Sequence, residues 1–201
     1  MFVLKPDYPH LALLSGLLGL ATALLALPGV AAPERAAALW RRFPRSAWPG
    51  RVLAVVSLAW ASLWAPFVLV DFLQGGAARI LPWVQVAFVA LAAGCIVALP
   101  DLLSCRAAGM LFALAPTPLL SAARWHPSPA RLLVVLAAYA MAVAGMFWIA
   151  KPWILRDWIF AANATPRRAR LVSALFLALG LSLLACALFA FPLAPGAKPL
   201  S

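Results

Sequence analysis

Four neighbouring residues, Asp101, Ser104, Cys105 and Arg106, form the densest group of chemically capable side chains in the chain. They could supply an acid, a nucleophile and a guanidinium for a phosphate group, as an enzyme that modifies lipids would need. The same residues also suit a helix start, where Asp101 and Ser104 cap the backbone and the arginine reaches toward the headgroups. Arg106 is therefore our first candidate for binding a lipid phosphate or another anionic ligand, and lipid modification is the third of three functional hypotheses.

Asp71 and Gln85 are further candidates for ligand binding at or inside apolar segments. Asp71 can pair with Arg79 across a short turn, which would make an ordinary ion pair at the level of the headgroups. Gln85 is the one strongly polar side chain of its apolar run. Chemistry inside a membrane usually needs an ionisable residue at mid-depth. The interiors of the clearly apolar runs contain none, so we predict no catalytic residues and lean toward a protein that is not an enzyme.

Histidines and cysteines are few, and none occurs at metal-ligand spacing. His10 and His126 have no neighbouring carboxylate or thiol, and the three cysteines are far apart in sequence. The chain also lacks a phosphate-binding glycine loop, a dinucleotide-binding glycine pattern, a nucleophile-elbow motif and a CxxC pair. We therefore expect neither a metal site nor a cofactor.

The composition places the chain among integral membrane proteins. Of 201 residues, 66% are hydrophobic and 10% are charged, too few polar groups to cover a soluble domain. The net charge of +11 comes from residues distributed between apolar runs, which is typical of membrane-flanking loops and argues against nucleic-acid binding. The predominance of arginine and alanine suggests a bacterial source with a GC-rich genome.

Apolar runs of about 20 residues predict an all-α, polytopic membrane helix bundle in a single domain over residues 1–201. We expect the first run to be a retained helix and not a cleaved signal peptide, with Ser15, Gly19 and Ala23 forming a stripe for close helix packing. The fourth run, which contains Pro116 and Pro118, could be a kinked span or a re-entrant segment. The six predicted spans are 11–32, 52–73, 80–99, 102–122, 132–150 and 171–191.

Two basic connectors, 33–51 and 151–170, separate long apolar runs. Each has a proline as its first or second residue, carries a tryptophan and closes on an arginine, which indicates either a duplication or the shared composition of interfacial segments. Each is expected to contain a short amphipathic helix that lies in the headgroup zone. The predicted interfacial anchors are Trp40, Trp48, Trp153, Trp158, Arg41, Arg42, Arg167 and Arg168.

Six spans place both connectors and the loop near residue 101 on one side of the membrane. That side then holds 11 of the 16 lysines and arginines. The positive-inside rule therefore predicts cytoplasmic connectors, with both termini on the opposite side of a bacterial inner membrane.

The first hypothesis for function is a non-catalytic accessory or scaffold component. Its basic connectors would bind anionic lipid headgroups or a membrane protein partner. The second is a small, oligomeric transporter for an uncharged or anionic molecule, since prolines interrupt two spans and Gln85, Thr117 and Tyr139 could line a pathway. The chain lacks the acidic residue that ion coupling would need, so the first hypothesis is preferred.

Overall fold

A computed structural model of the protein describes residues 9–73, 77–98, 102–124 and 126–191. Side-chain surroundings are described for the same ranges except residues 9, 63–73, 77–81, 92 and 95–98. The described chain is helical, without a strand. Its α-helices are α1 (Pro9–Ala31), α2 (Pro33–Arg42), α3 (Ala47–Leu73), α4 (Ala77–Ala98), α5 (Leu103–Leu114), α6 (Pro116–Ala123), α7 (Arg131–Ala150), α8 (Pro152–Ala162) and α9 (Pro166–Ala185). A 3₁₀ turn (Phe43–Arg45) follows α2, and a π-helical turn (Cys186–Ala190) extends α9.

Within the described residues, four helical segments are long and apolar enough to cross a membrane: His10–Ala31, Leu103–Ala123, Arg131–Ala150 and Pro166–Ala190. They agree with four of the predicted spans and support a helical membrane protein. The segment Leu103–Ala123 combines α5 and α6, joined by Ala115 with helical backbone angles (φ −58°, ψ −33°). The other two predicted spans fall on α3 and α4, and many of their side chains lie outside the described part.

The chain divides into two compact units. The first unit contains Arg42–Leu114 and Val143–Asp157. The second contains Ala115–Ala142 and the described parts of Val3–Arg41 and Trp158–Ser201. Each unit is described by itself below.

In the second unit, α1 and α9 pack antiparallel along a seam of small residues. Gly16 lies opposite Ala187, Gly19 opposite Gly180, and Gly29 opposite Ser173. The predicted stripe is on this seam, since Ser15, Gly19 and Ala23 are all buried. Small side chains let two apolar helices approach closely, which maximises van der Waals contact where lipid offers no hydrophobic driving force. The end of α1 and the start of α9 therefore lie at the same end of this unit.

The opposite end of the second unit is an apolar cluster around the start of α1. Its buried members are Leu11, Leu119, Ala123, Val134, Ala138, Leu183 and Phe191. They come from α1, α6, α7 and the end of α9. This cluster therefore lies at the end of the unit opposite the connectors.

In the first unit, α3 and α5 run parallel, and α5 and α7 run antiparallel. Gly50 meets Ser104 at the start of the α3–α5 pair, and Ser57 approaches Met110 further along. Gly109 and Gly145 pack backbone to backbone between α5 and α7. The starts of α3 and α5 and the end of α7 are therefore at one end of this unit.

Candidate functional site

The first connector forms α2 because its sequence suits a short helix. Pro33 takes the first helical position, where no backbone donor is needed, and Glu34 stands in the first turn. The helix buries Pro33, Ala36 and Ala37. Leu39, on the same helix, is 68% exposed. The large apolar side chain therefore faces away from the protein, as expected for a helix that contacts lipid.

The second connector forms α8, a turn and the start of α9. Helix α8 buries Pro152, Leu155 and Ile159. Its remaining large apolar residues are exposed: Trp153, Ile154, Trp158 and Phe160. The side chain of Thr165 then accepts a hydrogen bond from the backbone N–H of Arg168 and caps α9, whose first residue is Pro166.

One hydrogen bond joins the two connectors within the second unit. The guanidinium of Arg41, near the end of α2, donates to the backbone carbonyl of Asn163, between α8 and α9. These residues are separated by 122 positions in the chain. Because α1 and α9 are antiparallel, the start of the first connector lies near the end of the second, and this bond joins the end of α2 to the turn before α9.

The five exposed arginines of the second unit near this bond are called the connector surface: Arg35, Arg41, Arg167, Arg168 and Arg170. Three of them belong to the first residues of α9, which contain no acidic side chain. Cations at the positive end of a helix dipole are unfavourable by about 0.3–1 kcal/mol each. An anion at this place would be attracted both by the arginines and by the positive end of the helix dipole.

The predicted tryptophan anchors lie at the connectors. Trp158 is 46% exposed and packs edge-on against Phe176, with ring centroids 6.0 Å apart. Trp40 is half-buried on α2. Trp48 and Trp153, in the first unit, are 75% and 48% exposed. The predicted anchor Arg42 is exposed at the end of α2.

Arg106 occupies the first turn of α5 in the first unit and is half-buried. Its Nε is buried and has no hydrogen-bond partner in the described part of the chain. The neighbouring Ser104 hydroxyl donates to the backbone carbonyl of Ser46 at 2.6 Å. Cys105 is fully buried. Ser104 therefore does not cap its own helix as predicted. Its hydroxyl proton is used in the hydrogen bond that joins α5 to the residue before α3.

The other predicted ligand residues are not brought to Arg106 by any described contact. The backbone of Asp71 is part of α3, but its side chain lies outside the described residues, as does the whole of Asp101. Gln85 is exposed on α4. The hydroxyls of Ser15, Ser57 and Ser62 donate to carbonyls of their own helices. These three serine hydroxyls are therefore engaged with the backbone of their own helices.

His126 is fully buried in the loop between α6 and α7. Its Nδ1 accepts a hydrogen bond from the Ser128 backbone N–H at 3.2 Å, and the imidazole also bonds the backbone of Phe191. Burial lowers the pKa of His126 below 6.5, the Phe191 bond opposes this shift, and the charge of Arg131 adds to it. Among the described residues, no three histidine, cysteine or acidic side chains are grouped as metal ligands. Within the loop, His126 is held by the Ser128 bond and by edge-on packing against the Phe191 ring, whose centroid is 5.0 Å away.

Sequence reasoning missed Asn163 and Thr165. The segment Asn163-Ala164-Thr165 attracts attention as a glycosylation motif, although Thr165-Pro166 is also a helix-start signal. Thr165 caps α9, and the Asn163 carbonyl receives Arg41. The cap could be found from the local sequence, whereas the bond to Arg41 could not.

Comparison with family models, curated proteins and solved structures found no match to this chain.

Proposed function

We propose that the protein is a non-catalytic, multi-pass membrane component whose connector surface binds anionic lipid headgroups. The hydrogen bond between Arg41 and Asn163 carries this proposal, because it makes one basic surface from two distant segments. The exposed apolar residues Leu39 and Trp158 flank the same segments and suit the boundary between headgroups and acyl chains.

The charge on this surface supports lipid binding in magnitude as well as sign. Each basic residue close to an anionic leaflet contributes about 1 kcal/mol of attraction. Five arginines in one unit, with Glu34 as the acidic residue of α2, leave a clear excess of positive charge.

We further propose six spans with both connectors in the cytoplasm of a bacterial cell and both termini on the other side. The antiparallel packing of α1 and α9 supports a common side for the connectors, since it brings residues 31 and 166 to one end of the second unit. The excess of arginine there supports the cytoplasmic side.

Cysteine labelling tests this topology. In a variant without the three native cysteines, single cysteines replace Ala38, Ala164 or Pro127, which are all exposed. In intact spheroplasts, a membrane-impermeant maleimide should label the cysteine at 127 and reach those at 38 and 164 only after lysis. Labelling of the cysteines at 38 and 164 from opposite sides would contradict the proposed topology.

Lipid retention tests the binding function. The full chain, extracted in uncharged detergent, is mixed with equal amounts of phosphatidylglycerol and phosphatidylcholine of the same chain length, and bound lipids are counted by native mass spectrometry. We expect a preference for phosphatidylglycerol that falls about fivefold in Arg168→Gln, following the loss of roughly 1 kcal/mol. Arg41→Gln should reduce it at least as much, because it also removes the link to Asn163.

Arg124→Gln is the matched control. Arg124 is an exposed arginine of the second unit at the end of α6, beside the apolar cluster and away from the connectors. The Arg124→Gln variant should retain the wild-type preference for phosphatidylglycerol over phosphatidylcholine. An equal loss in Arg124→Gln and Arg168→Gln would indicate a general effect of charge and would overturn the assignment to the connector surface.

A further inference from the structure

The geometry points to a second, separate site: Arg106 at the start of α5 binds a phosphate group. This inference does not depend on the connector surface, which belongs to the other unit. It starts from the buried Nε of Arg106, which has no hydrogen-bond partner in the described chain.

An unsatisfied guanidinium donor inside a membrane protein is unfavourable. Burying a polar group without a hydrogen bond loses its hydration and gains nothing in exchange, and the penalty is larger for a charged group. Arginine side chains in apolar segments normally bond to carbonyls, pair with acids or face water. The missing partner of Nε therefore indicates that a ligand completes this site.

The surroundings of Arg106 favour binding over reaction. Ser104 already donates its hydroxyl to Ser46, and the thiol of Cys105 is fully buried. Neither is placed as a nucleophile. Leu102, immediately before α5, has a φ of 57° and accepts backbone hydrogen bonds from Cys105 and Arg106. A bulky residue in this left-handed conformation is strained, and such strain is concentrated at functional sites.

The electrostatic balance around the site is positive. Arg156, in α8 of the same unit, is close enough to Cys105 to interact with its thiol electrostatically. Its own charge is offset by Asp157, whose Oδ1 is 2.8 Å from a guanidinium nitrogen of Arg156. Arg106 has no such acidic partner in the described residues, so an anion is the ligand that this position attracts.

A phosphate group fits the donor geometry and the location. The guanidinium presents parallel N–H groups, including Nε–H, that bond two oxygens of a phosphate at once. Arg106 lies in the first turn of a candidate membrane span, where lipid phosphates are found. Because Nε is buried while the residue as a whole is half-buried, the side chain must change rotamer before Nε can bond an arriving phosphate. A headgroup and a free phosphate share this chemistry.

Thermal unfolding of the full chain in uncharged detergent, followed by tryptophan fluorescence, tests the inference. The probes are dioctanoyl phosphatidic acid, inorganic phosphate and, as the zwitterionic reference, dioctanoyl phosphatidylcholine. Phosphatidic acid should raise the midpoint of wild-type unfolding and phosphatidylcholine should not. A rise with inorganic phosphate as well would identify a soluble phosphate as sufficient, while a rise with phosphatidic acid alone would identify the headgroup.

Arg106→Met should unfold at a higher temperature than the wild-type protein without ligand, because it removes a buried donor that has no partner. The shift of its midpoint with phosphatidic acid should be smaller than that of the wild-type protein, because only the connector surface still binds, and the affinity of this site for phosphatidic acid, measured by native mass spectrometry, should fall at least about tenfold. Arg106→Lys should bind with intermediate affinity, since an ammonium keeps the charge but lacks the planar set of N–H donors. Arg51→Met, which replaces an exposed arginine of α3 in the same unit, should respond as the wild-type protein does.

A destabilised or unfolded Arg106→Met would mean that Arg106 already has an internal partner, and the inference would be wrong. Equal responses to phosphatidic acid and phosphatidylcholine would also overturn it. If phosphatidic acid raised the unfolding midpoint of Arg106→Met as much as that of the wild-type protein but did not raise that of Arg168→Gln, the binding would be assigned to the connector surface and the inference would be wrong.

Discussion

Gly19 and Gly180 lie face to face between α1 and α9, with no room for a side chain at either position. A Cβ on Gly19 would be 2.7 Å from the carbonyl oxygen of Gly180, and a Cβ on Gly180 would be 2.8 Å from that of Gly19. This approach sets the distance between the helices, so the placement of both connectors in the second unit depends on it.

Gly180→Val should therefore separate α1 from α9. We expect a loss of about 1–3 kcal/mol in the free energy of unfolding, because the β-branched side chain meets backbone that cannot move aside cheaply. Thermal unfolding in detergent measures the effect. Gly94→Val is the control, since nothing lies within 4 Å of a Cβ at that position of α4. An equal loss in both variants would attribute the effect to the residue type and not to the helix contact.

Ser104→Ala should lower the free energy of unfolding by about 1 kcal/mol, since it leaves the partly buried Ser46 carbonyl without its donor. The comparison is Ser62→Ala, where the hydroxyl bonds the Ala59 carbonyl of its own helix and the bond is exposed. That change should stay within about 0.5 kcal/mol. Equal unfolding midpoints for Ser104→Ala and the wild-type protein would show that the tie between α3 and α5 contributes little.

The stability of the second unit should decrease as the pH falls below about 6.5. Burial keeps the pKa of His126 lower in the folded protein than in the unfolded chain, so the unfolded chain binds the additional proton first. The loss begins near 6.5, grows by at most about 1.4 kcal/mol per pH unit and stops below the folded pKa. A protonated Nδ1 also cannot accept the hydrogen bond from the Ser128 backbone N–H, so this bond would be lost.

Unfolding midpoints between pH 5 and pH 8 measure this dependence, and His126→Gln provides the reference because glutamine does not titrate. The slope below pH 6.5 should be smaller in the variant. The same slope in both proteins would assign the pH dependence to other groups.

Arg41→Lys should weaken the tie between the connectors, because an ammonium lacks the planar fork of the guanidinium. Hydrogen exchange at the amides around Asn163 should increase several-fold, since local opening becomes easier. The same substitution at Arg35, on the same short helix, should leave that exchange unchanged. Faster exchange throughout α9 in both variants would instead indicate a global loss of stability.

The sequence by itself determined the properties that depend on short stretches of chain. Hydropathy over about 20 residues predicts a helical membrane protein, and four such segments have the required length and composition. The starts of α2 and α8 follow from Pro33 and Pro152, because proline suits a first helical position. The small-residue stripe on α1 was also predictable from the sequence, because Ser15, Gly19 and Ala23 recur every fourth residue and so lie on one face of a helix.

Only the tertiary structure decided which faces and which distant residues meet. In a helix that is apolar all around, such as α1, hydropathy does not distinguish the protein side from the lipid side, so the burial of Leu11 and the 59% exposure of Leu13 were not predictable from pattern. The bonds of Arg41 to Asn163 and of Ser104 to Ser46 join residues separated by 122 and 58 positions. The missing partner of the Arg106 Nε likewise became visible only with its neighbours in place, because hydrogen bonding depends on three-dimensional geometry that no local spacing encodes.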